Sequence, residues 1–206
     1  MCTDDLNTLQ KIMAEGKKEF LDKGFKDASL RNIVKRAGVT TGAFYGYYPD
    51  KKALFEALVS PAVEGLRAMF MTAQQEFDQL TEVEKQKAIY DYSSNEVKKF
   101  IAYVYDYFDE FKLLISCAEG TDFSDFIHDL VEIEVEYTMR FMESTGNDAL
   151  ASGRATPELL HIISSAFFSA VFETVKHDMP REMADNYIDS LRQFFTAGWK
   201  RIFNPQ

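Results

Sequence analysis

The segment from Ser29 to Lys52, SLRNIVKRAGVTTGAFYGYYPDKK, carries the clearest local punctuation in the chain. Ser29 stands where a helix N-cap belongs, and Leu30, Ile33, Val34 and Ala37 form a short apolar stripe that Gly38 stops. Thr40 is placed to cap a second helix of about two turns through Tyr48. Pro49-Asp50 then punctuates, with Asp50 a cap for a helix beginning at Lys51. Two short helices joined by Ala37-Gly38-Val39 make a helix-turn-helix pattern. The glycine permits the tight turn, Val39 plugs the angle, and the second helix is the one such a motif offers to a major groove.

Helical periodicity continues on both sides. Leu9, Ile12, Met13 and Phe20 predict an amphipathic helix closing at Gly24. Residues 1–54 thus read as a three-helix head and residues 55–206 as a helical body. Between Leu54 and Leu80 the pattern is helical, with Pro61 expected to kink or split it. One helix is expected to carry Val97, Phe100, Ile101, Val104, Tyr105 and Phe108. Another, capped by Thr121, carries Phe126, Leu130, Ile133, Tyr137 and Phe141. After a polar loop from Gly146 to Ala155, Thr156-Pro157-Glu158 is a strong helix start, predicting a helix to His177. Met179-Pro180 opens a last helix toward Phe203. The expected fold is all-α, with about nine helices.

Composition narrows the classes. The chain has 206 residues, 46% hydrophobic and 27% charged, enough to bury a core and unlike a disordered chain. No apolar run was expected to reach the roughly 18 residues of a membrane span, and no signal-peptide pattern opens the chain. Cys2 and Cys117 make neither a disulfide framework nor a zinc site, which predicts a reducing, cytoplasmic setting. Net charge is −10 but unevenly spread. Residues 1–54 hold ten Lys/Arg against seven Asp/Glu, a net of +3, and the remainder carries −13. A basic head on an acidic body is what a chain meeting a polyanion through its head alone would show, though ordinary scatter gives the same numbers.

Around the turn, Thr40 and Thr41 supply hydroxyls and free N–H groups at the start of the second helix, and Gly42 lets backbone come close to a partner. Tyr45 and Tyr47 offer phenolic donors; Arg31, Arg36, Lys51 and Lys52 add cations. On the residues alone, the tyrosines serve equally well as boundary aromatics of a packing unit. The stretch AGVTTGAFYGYYPDKKALFEAL, with the approach SLRNIVKRAG and the helix ending in Gly24-Phe25, resembles the signature of the TetR/AcrR transcriptional regulators over the first 58 or so residues. That resemblance implies double-stranded DNA contacts from Arg31, Thr40, Thr41, Gly42, Tyr45, Tyr47 and Lys51, with Phe44 and Tyr48 packing the head. Two positions depart from the family pattern: Gly46, where a bulkier residue is frequent, and Thr41, where lysine is frequent.

The resemblance further implies a repressor that acts as a homodimer through its last two helices and is released by a small hydrophobic or aromatic inducer. Tyr105, Phe108, Phe111, Tyr137 and Phe141 are the aromatics expected at such a ligand site. No cofactor and no catalytic residue is expected, since no nucleophile elbow, glycine-rich phosphate loop or zinc signature occurs. The alternative is a helical metal-binding or redox protein. His128, Glu132 and Glu136 share one helical face, and Glu173 and His177 have the same spacing. They lack the Glu-x-x-His pairs of carboxylate-bridged bundles, so solvated surface charge is the preferred account and no metal ligand is assigned. Cys117 in LLISCAEG reads as a small buried hydrophobe before a redox-sensing thiol.

Overall fold

A computed structural model describes residues 3–204, with side chains from Asn7 onward; Cys2 lies outside the described residues. The described chain is all-helical: α1 Thr3–Asp27, α2 Leu30–Ala37, α3 Thr41–Tyr47, α4 Lys51–Asp78, α5 Glu82–Asp106, α6 Phe108–Cys117, α7 Phe126–Ser144, α8 Pro157–Lys176 and α9 Arg181–Phe203. Two compact units emerge. One comprises the residues up to Glu64 with Tyr107–Ser124, the other Gly65–Asp106 with Asp125 onward. Helix α4 contributes to both, and α6 belongs with the N-terminal helices.

In the first unit α1 packs on α2 and on α6. Ile12, Phe20, Ile33, Phe44, Leu54, Phe55 and Phe111 are fully buried, and each large apolar side chain so placed contributes about 1.5–3 kcal/mol. Phe20, Phe25 and Phe55 meet at ring separations of 5.2–6.0 Å. Gly16 is where α1 meets α4: a Cβ there would lie 2.7 Å from a Leu54 methyl. In the second unit α7 packs along α8, while α9 rests on α8 and α5. Lys85 is buried there, its ammonium donating to Asp78 at 2.9 Å and to Ser144 Oγ at 3.0 Å.

Several expected boundaries move. Pro61 does not split α4, which runs unbroken from Lys51 to Asp78. The helix expected through Phe108 ends at Asp106; Tyr107, at φ −117° and ψ 39°, interrupts it and α6 follows. Helix α5 begins with a capping box, Glu84 N–H donating to Thr81 Oγ1 and Thr81 N–H donating to the Glu84 carboxylate at 2.9 Å. Thr121 does not cap α7: its hydroxyl donates to Ala118 O at 2.7 Å in a turn, and α7 starts at Phe126. Helix α8, not anticipated as a long apolar run, is by length and composition sufficient to cross a membrane, at a mean hydropathy of 1.3. Here it packs in the second unit, with Leu160, Phe168, Val171, Phe172 and Val175 buried.

Candidate functional site

Local chemistry builds the helix-turn-helix. Ser29 Oγ accepts from Asn32 N–H at the start of α2. At its end Gly38 takes the left-handed conformation, φ 67° and ψ 30°. The N–H of Gly38 donates to Lys35 O and that of Val39 to Val34 O, a Schellman closure in which a side chain at Gly38 would be strained. Two residues later Thr40 Oγ1 accepts from Ala43 N–H at 3.1 Å and opens α3. Phe44 is fully buried and meets Tyr48 at 5.9 Å, so these two aromatics hold α3 in place. The opposite side of α3 is left to solvent: Thr40, Thr41, Gly42 and Gly46 are exposed and Tyr45 is 54% exposed. Tyr47 is half-buried. A methyl group at Gly42 would meet nothing nearer than Thr40 Oγ1 at 3.9 Å, and one at Gly46 would meet open space.

The cations around this surface have different fates. Lys51, expected at a phosphate, is turned inward. Its ammonium donates to the carbonyls of Phe25, Lys26 and Ala28 at 2.7, 2.8 and 3.2 Å and lies over the Phe25 ring, so all three of its donors are occupied. It ties the start of α4 to the chain leaving α1. Arg36 pairs with Glu19, a buried carboxylate that also accepts from Ser29 N–H and Asn32 Nδ2. Lys52 pairs with Asp122 at 2.8 Å, Lys26 with Glu119, and Lys17 with Glu110 at 2.8 Å. The acids come from α6 and the turn after it. Counted over the whole first unit, eleven basic groups face thirteen acidic ones, a net of −2, so the +3 of residues 1–54 is compensated within the fold. Arg31 and Lys35 stay exposed at i,i+4 on α2 and, among the described residues, neither joins an ion pair. In the sequence only its spacing from Arg31 marks Lys35.

The second unit contains a partly open pocket of about 190 Å³. Its walls come from α4, α5, α7, α8 and α9, and nearly half of the lining residues are aromatic, Phe70, Phe100, Phe167 and Trp199 among them. Of the aromatics expected at a ligand site, Tyr137 and Phe141 line it and the other three do not. Phe108 and Phe111 belong to α6 in the first unit, where Phe111 is core. Tyr105 donates its phenol to Met179 O at 3.0 Å instead. Two polar groups stand out in the lining. Glu134 accepts from Gln74 Nε2 at 2.6 Å, and burial pushes its carboxyl above the usual range despite that bond. Arg192 reaches Asp189 through its guanidinium at 3.4 Å but leaves Nε buried with no acceptor.

Residues 12–58 match the domain described as bacterial regulatory proteins, tetR family, and so span both helices of the motif. The helix-turn-helix domain is of the TetR-family type. Over 60 residues the chain is 33% identical to an uncharacterised HTH-type transcriptional regulator, YdgC, of Bacillus subtilis. The match takes in 29% of the chain and 31% of that relative, under a third of its length. Solved structures resemble the whole fold. A TetR-family regulator from Mesorhizobium loti aligns at a TM-score of 0.54 and 13% identity, covering 95% of this chain and 98% of its own. A TetR/AcrR-type regulator from Aquifex aeolicus gives 0.56 and 16%, covering 92% and 98%. A TetR-family member from Streptomyces coelicolor gives 0.54 and 15%, covering 95% and 90%. At such identities the likeness is one of fold: a helix-turn-helix unit followed by a helical C-terminal region.

Two further groups of titratable side chains lie outside the motif. His128 and Glu132 of α7 are joined by His161 of α8, not by Glu136, which pairs with Arg140 at 2.5 Å. That third residue was invisible in the sequence because it depends on how α7 and α8 pair. Cys117 is buried, and burial pushes its thiol up against a weaker opposing pull from Lys112, which disfavours the thiolate a redox sensor uses.

Proposed function

We propose that this protein is a DNA-binding transcriptional regulator that represses by occupying an operator as a homodimer and is released by a small molecule. The observation that carries the DNA reading is the surface of the motif. Phe44 and Tyr48 anchor α3 so that Thr40, Thr41, Gly42 and Tyr45 face outward together, beside the uncompensated Arg31 and Lys35 of α2. In this reading Thr40, Thr41 and Gly42 approach base edges and phosphates, Tyr45 and Tyr47 donate to phosphates, and Arg31 with Lys35 supplies the charge. Lys51 is left out, its donors being used inside the chain. Binding DNA places such a protein in the cytoplasm.

The test is a mobility-shift titration on the DNA just upstream of the protein's own gene, repeated over a range of salt. Each phosphate-binding cation contributes about −0.9 to the slope of log affinity against log salt. Replacing Arg31 and Lys35 together by Ala should flatten the slope by about 1.8 per head and weaken binding to all sequences. An unchanged slope would exclude both residues from the interface.

The dimer reading is supported by the outer faces of α8 and α9. Ile162 is 63% exposed and Phe194 74%, with Met183 and Tyr187 on the same face of α9 as Phe194. Large apolar groups in such a row suit a four-helix interface with a second copy, and a pair of heads reads two half-sites. Sedimentation should give a dimer at micromolar concentration, and Phe194→Glu should shift it toward monomer. A monomeric wild type would sink this part of the reading. The inducer reading rests on the cavity: aromatic walls suit a flat, hydrophobic molecule, and one carrying an acceptor would satisfy Arg192 Nε. By linkage, such a molecule must bind less tightly when operator is bound, by the factor with which it weakens DNA binding.

A further inference from the structure

We propose that His128, Glu132 and His161 form a binding site for a divalent transition-metal ion of the zinc type. The chain has three histidines, and the fold brings two of them together from positions 33 residues apart, with ring centroids at 5.4 Å. Glu132 lies one helical turn after His128 on α7, and His161 Nδ1 stands 3.1 Å from the Glu132 carboxylate. All three donor atoms lie within 4.8 Å of one another.

An ion bound at about 2.0–2.2 Å by each of three tetrahedral ligands needs donors roughly 3.3–3.6 Å apart. Glu132 and His161, at 3.1 Å, lie within a few tenths of an ångström of that spacing. The donors still too far apart close up by side-chain rotation, which exposed His128 and Glu132 are free to make. Two imidazoles and one carboxylate select zinc, nickel or copper over magnesium and calcium, which prefer oxygen ligands alone. Three protein ligands leave a fourth position for water or an external donor. The backbone that carries the ligands is fixed because α7 and α8 pack along each other. An ion here fastens those two helices to each other.

The chain contains its own control. His177 and Glu173 also contact at 2.8 Å with i,i+4 spacing, but Glu173 is shared with Lys176 and, among the described residues, no third ligand joins them. Zn2+ titrated by calorimetry into full-length, chelator-treated protein should bind at one ion per chain with micromolar or tighter affinity. His128→Ala and His161→Ala should each weaken it at least tenfold, whereas His177→Ala should leave it unchanged. Zn2+ should raise the melting temperature of the wild type and not that of His161→Ala, and Mg2+ should do neither. His128 is exposed and His161 half-buried, and circular dichroism of each variant should match the wild type. Absence of a stoichiometric site in the wild type, or equal zinc affinity in the wild type and His128→Ala/His161→Ala, would overturn the assignment.

Discussion

Lys51 has two demands on one ammonium, and geometry decides between them. Three carbonyls at hydrogen-bond distance and an aromatic face below leave it no donor for a phosphate. Hydrogen bonds to a charged group are worth about 1.5–3 kcal/mol each and are not additive, and the carbonyls freed by its removal recover part of that from water. Lys51→Met, which keeps most of the stem, should therefore lower stability by about 2 kcal/mol in urea unfolding while the folded variant keeps the wild-type salt slope on operator DNA. A slope shallower by about 0.9 per head, with stability unchanged, would return Lys51 to the interface. The sequence shows a lysine at the right spacing; it cannot show that main-chain oxygens from the end of α1 arrive around it. Thr40 and Gly38 are different, because what they do is local. A hydroxyl three residues before an orphan N–H and a glycine at a left-handed helix end are visible as residue types in order.

Elements whose ends are set by such local chemistry were legible. Ser29, Gly38, Thr40 and the Thr156-Pro157 start all stand where their helices begin or stop. The break at Tyr107 was not, since neither glycine nor proline marks Asp106-Tyr107-Phe108; beyond it α6 packs on α1, a contact distant in sequence. Pro61 is the reverse case: expected to kink or split its helix, it lies inside one continuous α4 and does not split it. The turn of the motif offers a direct check on the local argument. A Cβ at Gly38 meets no atom within 4 Å, so any cost of Gly38→Ala is conformational. The left-handed region disfavours a side chain by roughly 1–2 kcal/mol, and the variant should lose about that much stability. At Gly46, open and free of positive φ, alanine should instead stabilise α3 by up to about 1 kcal/mol. Thermal melts of the two variants moving in the same direction would contradict this account of the turn.

Charge is where the whole molecule departs most from the order of its sequence. A cut at residue 54 makes the head basic; the fold returns α6 and its acids to that head and leaves α2 to carry the uncompensated cations. No pattern along the chain announces that return. The cavity is likewise assembled from five helices, and only Tyr137 and Phe141 among the expected aromatics reach it. Glu134, half-buried in its lining, bears on the stability of the whole fold. Because burial raises the Glu134 carboxyl, the folded protein holds a proton there that the unfolded chain has already released, between the ordinary carboxylate range and the raised one. Stability contributed by this group is full below that window and falls as pH rises through it. Glu134→Gln keeps an acceptor for Gln74 and cannot ionise. Its unfolding free energy should match the wild type at about pH 4 and exceed it at about pH 7, where the wild type must either ionise a half-buried carboxyl or keep it protonated against solvent. The other carboxylates titrate in both proteins and cancel in the difference. A gap that is constant with pH, or that opens toward acid, would show that Glu134 is as easily ionised in the folded cavity as in the unfolded chain.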